Sequence, residues 1–489
     1  MNTTEIAVIG AGPAGIAAAV SAAEAGARVT LIDENPRPGG QYYKQPPERY
    51  DERSLPRSLA ENIQHGRELV ARLNHPNITL QRNTLVWNIT PDHLLDLYAP
   101  EGGSCLRANS NRLQAKRIIL ASGAYERLVP FEGWTLPGVT TVGAAQLLLK
   151  GQGLLIGQKI LLCGTGPLLT LAAAQLLAAG AQVAAIVELH SRAEFFGGGL
   201  KLFGQWGKLG QGMAQQKQLL DAGVSIKFGY TVVRALGESQ IEGAVIAKVD
   251  GSGRPIAGSE ETIATDTLCM NYGFVPATEL ARLAGCEQFF DSHFDAFATK
   301  TNDDLETSVR GIFAAGEVRG IGGVEVALLE GKIAGSAAAR QLGYASQSNG
   351  HDIVKEWQKA RAAFDSLSSM FAVKPGLFAS IPDDVLVCRC EEISAGALRD
   401  AARAGAQQLN ALKTWNRCGM GRCQGRICGP IAAQIIAQEI GAPVESVGVF
   451  TARIPVKPVP LGIVGATAEP HPTGAAMEDH VGYGRAVVR

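Results

Sequence analysis

Neither sign of charge dominates this 489-residue chain: 45 lysines and arginines stand against 46 aspartates and glutamates, a formal net charge of -1. It therefore has no overall field with which to gather nucleic acid or an anionic membrane, and neither is expected as a partner. Residues 1–4 hold no basic run and no cleavage pattern, so a secretory leader is not expected and the cytoplasm is the expected compartment. Long uncharged runs are lacking too, with one exception. Residues 160–187 carry no charge, yet Gly164, Gly166, Pro167 and Gly180 fall at turn positions, which makes the run a buried strand-helix-strand rather than a transmembrane segment. Residues 195–213 mix Gly, Phe, Trp and Lys, but without a basic excess they read as a mobile loop or partner contact.

What is present points elsewhere. The length calls for about three domains, and 58 glycines with heavy alanine use suit closely packed α/β layers. The organising stretch is the first forty residues. An apolar strand, residues 5–9, runs into Gly10-Ala11-Gly12-Pro13-Ala14-Gly15 and an alanine-rich helix, and a second strand closes on Asp33. Gly10 makes the turn, Gly12 lets the backbone approach a pyrophosphate, Gly15 lets the helix lie on its strand, and the helix N-terminus faces the phosphates with unpaired amides. Asp33, or Glu34 beside it, suits a ribose hydroxyl, with spacing in favour of Asp33. The turn-rich loop that follows, including Gly40 and Gln41, lies at the carboxyl end of the second strand, where ligands bind in doubly wound sheets. Residues 79–122 read as a small antiparallel meander that returns to the first sheet at Ala121-Ser122-Gly123.

The motif repeats. Residues 159–163 form a strand, Gly164-Thr165-Gly166-Pro167-Leu168-Leu169 a turn, residues 170–179 a helix, and residues 181–187 a strand ending at Glu188. Leu169 replaces the third glycine and is expected to hold the helix further from its strand. The second site is either a nicotinamide dinucleotide site, where Glu188 favours NAD although Arg192 could reach a 2′-phosphate, or a structural relic of duplication. Further on, residues 307–317 deliver Gly316 and Glu317 to a sheet end, and this carboxylate suits a sugar-alcohol chain. Tyr42, Lys44 and His65 are candidate pocket residues.

Five of the nine cysteines fall between Cys388 and Cys428. Such crowding in a reducing compartment points to metal rather than disulfides. Cys388 and Cys390 form one pair and Cys423 and Cys428 a second, with Cys418 a substitute ligand; four thiolates close around a [2Fe-2S] cluster or a structural zinc. Arg389, Arg417, Arg422 and Arg426, with Gly419, Gly421 and Gly425, favour an anionic centre. Residues 454–461 are extended by prolines and suited to lying along a surface or interface.

The two glycine turns and the Glu317 segment together resemble the two-dinucleotide-binding-domain flavoproteins that include pyridine-nucleotide-disulfide reductases. The resemblance implies FAD in the first domain, with its pyrophosphate at Gly10, Gly12, Pro13, Ala14 and Gly15, its adenosine ribose at Asp33 and its ribityl chain near Glu317, where the family usually has Asp. Residues 39–44 hold no cysteine pair, and Cys105, Cys163, Cys269 and Cys286 form none, so disulfide reduction is disfavoured. Gly39-Gly40-Gln41, Ala124-Tyr125-Glu126-Arg127, residues 133–139 and the cysteine-rich region resemble more narrowly the larger flavoprotein subunit of the hydrogen cyanide synthase, opine oxidase and hydroxyproline dehydrogenase family. The cysteine region resembles the small ferredoxin domain of bacterioferritin-associated ferredoxin, whose second pair usually has a shorter spacing.

The expected fold is α/β: two Rossmann-like dinucleotide-binding domains of the pyridine-nucleotide-disulfide reductase type and a small α-rich iron-sulfur domain. An FAD-binding domain in two parts, 1–124 and 268–345, would flank an NAD(P)-type domain, 125–267. A linker, 346–380, a ferredoxin-like domain, 381–445, and an extended tail, 446–489, would follow. The resemblance implies a flavoprotein oxidoreductase subunit of a hetero-oligomer that oxidises an amine, opine or imino or amino acid. An amine-oxidase-like FAD subunit is the expected partner, and a further candidate partner is a small ferredoxin-like subunit. An additional flavin at a subunit boundary is a further candidate cofactor. Two other readings stay open: a self-sufficient NAD(P)H oxidoreductase, and a redox sensor or scaffold without turnover.

Overall fold

In the computed structural model the described residues are 2–47, 56–90, 92–101, 104–197, 216–345 and 350–467. Most of residues 195–213, and the last residues of the tail, lie outside them. Strand β1 (Asn2–Ile9) is buried over its last six residues, and α1 (Pro13–Glu24) starts on proline, whose missing N–H costs nothing in a first helical turn. Strand β2 (Val29–Ile32) lies parallel to β1, with Ile6 opposite Val29 and Ile9 opposite Ile32. The small residues of α1 serve a close crossing with the helix Gly323–Gln341. A Cβ on Gly331 would lie 2.1 Å from the Ala14 carbonyl oxygen, and one on Gly335 2.2 Å from that of Ala18.

After α2 (Arg57–Ala71), β3 (Ile78–Gln81) joins the sheet parallel to β2. Its alternating pattern reads as the start of the meander, but β3 belongs to the parallel layer. The meander proper is β4 (Leu85–Ile89), β5 (Leu94–Glu101) and the first half of β6 (Ser104–Leu120). The far half of β6 is parallel to β1 on one side and to the strand Ile312–Ala314 on the other, so one strand serves both structures.

The chain crosses to a second unit through β7 (Ala124–Glu126) and returns through Phe274–Pro276, and the two crossings pair antiparallel. The second sheet is parallel: Ile226–Phe228, β10 (Gln182–Glu188), β9 (Lys159–Gly164), Thr267–Asn271 and β8 (Val139–Thr141), in that order. Helices α3 (Val142–Gln152) and α4 (Pro167–Ala178) cover it. Leu169 is fully buried in the apolar core with Val142, Ala145 and Leu162.

The helix Gly350–Ser368 packs on Gly323–Gln341 through Val326, Leu329 and Ala360. The cysteine-bearing module follows: the strand Leu386–Cys388 and the helices Ala395–Arg403, Leu409–Trp415 and Cys428–Ile440. Its core is continuous with that of the second unit, joining Leu128, Trp134 and Leu161 to Val387, Leu398 and Ile435. The Val456 amide donates to the Trp87 carbonyl (3.0 Å), and Lys457 Nζ lies 2.5 Å from Glu34, so the tail laces the cysteine module to the first sheet. Among the described residues no helix is long and apolar enough to cross a membrane.

Candidate functional site

The first glycine turn is shaped by close backbone approach. Gly10 has φ +100°, and a Cβ there would lie 2.4 Å from the Ala121 carbonyl oxygen; one on Gly15 would lie 1.8 Å from that of Gly10. Helix α1 has no side-chain cap and no acidic residue in its first turn, which leaves its amides to an anion. Asp33 is buried: its Oδ2 accepts from the Ala11 amide (2.5 Å) and its Oδ1 from the Asn35 amide (2.7 Å) and Nδ2 (2.9 Å). Gly40 packs against Gly12, where a Cβ would lie 2.7 Å from the Gly12 Cα, and Ser122 Oγ donates to the Ala277 carbonyl (2.7 Å). Gly12, Pro13, Ala14, Gly40, Gln41 and the segment Ala121-Ser122-Gly123 all line one cavity.

Glu317 lies on the same cavity, and burial pushes its carboxyl up to about 7 against a hydrogen bond from the Gly323 amide. Nearby Glu330, fully buried, has no counterpart among the residues that the sequence singles out. It accepts from the Gly316 amide (2.8 Å), Arg319 Nη1 (2.5 Å) and Trp357 Nε1 (3.0 Å), and so fixes the turn that carries Glu317.

The second turn lines the same cavity from the other side. Gly164, φ +134°, leaves no room for a Cβ, which would lie 1.7 Å from the Asn271 carbonyl oxygen. Glu188 is buried and already engaged: it accepts from the amides of Gly166 (3.2 Å) and His190 (3.1 Å). Phe371 roofs this turn. Its ring lies 3.8 Å from where a Cβ on Gly166 would be, edge-on to His190 and Phe195. Arg192 lies over the Phe228 ring.

The cavity measures about 1470 Å3, beyond the roughly 300–1,000 Å3 of a site for one small ligand. Its wall holds charged groups that local sequence does not reveal. Glu126 accepts from the Gly143 amide (2.8 Å) and Asn271 Nδ2 (2.9 Å), and burial pushes its carboxyl up. Lys150 is 5% exposed, and burial alone pushes its ammonium down to about 8. Tyr42 lies under Lys150, Lys44 Nζ donates to Asn35 Oδ1 (3.0 Å), and His65 is exposed on α2.

Cys388, Cys418 and Cys428 are buried, with their sulfurs within 4.8 Å of one another. Hydrogen bonds from Cys418 and Cys428 hold the Cys388 thiol well below the ordinary range, and one from Cys428 pulls Cys423 down to about 5. The two donors are raised in turn by their bonds to Cys388. Cys390 is exposed, and its Sγ would lie 2.9 Å from a Cβ on Gly421. The structure thus joins Cys388, Cys418 and Cys428, links Cys423 through Cys428, and leaves Cys390 at the edge. A set of buried sulfurs this close, with no disulfide among them, is the donor set of a thiolate-held metal or iron-sulfur centre. The uncapped helix, tight turn and large cavity likewise fit a dinucleotide such as FAD.

Two motifs of the sequence clamp this module. Trp134 Nε1 donates to the Leu386 carbonyl (2.7 Å), with Arg389 over its ring, and Tyr125 accepts from Arg426 Nε (2.8 Å).

Residues 4–343 match the sequence profile of the pyridine nucleotide-disulphide oxidoreductases, and residues 385–468 that of the sarcosine oxidase A3 domain. The chain is 35% identical to an opine oxidase subunit of Rhizobium meliloti (strain 1021), over 96% of this chain and 100% of that protein. It is 30% identical to hydrogen cyanide synthase subunit HcnB of Pseudomonas protegens, over 93% and 96%. The solved structure of L-proline dehydrogenase from P. horikoshii has the same fold, with a TM-score of 0.68 at 20% identity, over 94% of this chain and 79% of that one.

Proposed function

The chain belongs to the pyridine nucleotide-disulphide oxidoreductase family and to the group of flavoprotein subunits that includes those of opine oxidase and hydrogen cyanide synthase, and from that premise we propose that it is the electron-transferring subunit of a heteromeric amine, opine or imino-acid dehydrogenase. The partner is an amine-oxidase-like FAD subunit that oxidises the substrate; this chain holds FAD at the first turn and a [2Fe-2S] cluster at the cysteines, in the cytoplasm. The observation that carries the reading is the shared wall: Arg426 and Ile427, beside Cys428, line the cavity that also takes in Gly10 and Gly316.

Bound flavin accepts an electron pair and releases electrons singly, which matches a one-electron cluster. The residues of the chain supply the rest. The first-turn amides of α1 hold the pyrophosphate, Asp33 the ribose and Glu317 the polyol. Cys388, Cys423 and Cys428, with Cys390 or Cys418 as the fourth, hold the cluster. Phe371, close over Gly166, obstructs the second turn as a nicotinamide dinucleotide site.

The test is anaerobic co-purification with the partner, followed by flavin and iron analysis. Two FAD per cluster in a one-to-one complex, one on each subunit, flavin bleached by an opine or amino-acid substrate and flavin left oxidised by NADH are the expected results. A colourless chain, or one that holds zinc alone, sinks the reading. Prompt bleaching by NADH without the partner would favour the self-sufficient reductase instead.

A further inference from the structure

Four arginines flank the cysteines in sequence, and the structure treats them unequally. Arg389 lies over Trp134, Arg417 is exposed and pairs with Glu391 (3.0 Å), and Arg422 is exposed. The Arg426 side chain is only 8% exposed. Its Nη1 donates to the Cys423 carbonyl (3.1 Å), its Nη2 to the Val456 carbonyl (2.7 Å) and its Nε to the Tyr125 hydroxyl (2.8 Å). Glu279 Oε1 lies 3.4 Å from the same Nε, and the Tyr125 hydroxyl donates to Glu279 Oε2 (3.4 Å). Arg426, Tyr125 and Glu279 all line the cavity. One buried cation is therefore bonded on one side to the cysteine loop and on the other to the cavity wall.

We propose that Arg426, through Tyr125 and Glu279, is the positioning residue that couples the cysteine centre to the charge state of the cavity. The inference rests on the cluster of the proposed function. Reduction adds one electron to a cluster that is already anionic and neither forms nor breaks a bond. A cation bonded to a ligand's carbonyl and shielded from water stabilises that added charge, whereas exposed arginines are screened. Glu279 opposes Arg426 in sign, so removing either must move the cluster in opposite directions. A structural brace would give no such pair of signs.

The experiment is a redox titration of the anaerobically purified full chain with dithionite as reductant, the cluster being followed by its EPR signal. Arg426→Gln is expected to shift the reduced-to-oxidised ratio at fixed potential at least tenfold toward oxidised, which is about 59 mV for one electron. Glu279→Gln is expected to shift it toward reduced, Arg426→Lys to restore most of the loss, and Arg422→Gln to change little. If Arg426→Gln fails to load iron, the Glu279→Gln shift and the Arg426→Lys recovery carry the sign. Shifts of one sign, no shift at all, or an equal effect from Arg422→Gln overturn this inference alone. Wild-type chain without an iron signal overturns the function reading, and the inference falls with it.

Discussion

Lys150 shows how a single side chain can tax the fold. It sits on the cavity wall with Nζ 3.4 Å from the Tyr42 carbonyl, and among the described residues no carboxylate pairs with it. Its ammonium titrates near 8 in the folded chain and near 10.5 when unfolded. The folded state therefore binds fewer protons between those values, and stability gained from this residue rises with pH across that window. At neutral pH the cost is full, on the order of 3 kcal/mol as an upper value. Lys150→Met is expected to raise the melting temperature at pH 7, with the gain fading by pH 10.5. Thermal melts at both pH values check this, and an equal gain at each would show that the charge is not the cause. The close backbone approaches at Gly10, Gly12 and Gly15 were legible in sequence because they follow from local spacing. Lys150 and Glu330 were not, and of Glu126 the sequence showed the motif but not the bonds. Glu126 acquires its meaning from Asn271, 145 residues away, and Glu330 looks like any surface glutamate of a helix until Arg319 and Trp357 close on it.

Between elements, the decisive joints are single polar bonds set in apolar contacts. Trp134, 3% exposed, ties the loop before β8 to the strand that carries Cys388. Trp134→Phe keeps most of the apolar contact but leaves the Leu386 carbonyl without its donor, a loss of about 1–2 kcal/mol. The expected outcome is a lower denaturant midpoint and, if the cysteines hold the proposed cluster, faster loss of its iron to a chelator; a midpoint and iron retention equal to wild type would remove Trp134 from the support of the cysteines. At this scale the sequence was readable where one element carries its own signal, as in β1, α1 and β2. It misled at β3, whose alternation is that of a half-exposed edge strand whether its neighbour runs parallel or antiparallel. Only the pairing of Val29 with Ile78 decides which. The proline-rich stretch was expected to be extended, but it bends at residues 454–457 and gives way to the helix Leu461–Thr467, and its docking on Trp87 and Glu34 depends on partners more than 350 residues earlier.

Across the whole molecule, the cysteine module and the second unit share one core, from Leu161 and Val187 to Leu398 and Ile435. The two are expected to melt together. Differential scanning calorimetry followed in parallel by the absorbance of the cluster proposed at the cysteines should give coincident transitions, and an earlier, separate loss of that absorbance would contradict the shared core. The shape of the first layer has a further consequence, for the order in which it can be built. Strand Ile312–Ala314 and the helix that crosses α1 are encoded about three hundred codons after β1. At about 5–20 residues per second, a ribosome leaves the nascent amino end without these neighbours for roughly 15–60 s. Its alanine-lined helix stays uncovered for that interval, so the amino end must wait on the carboxyl half of the first layer before its core can close.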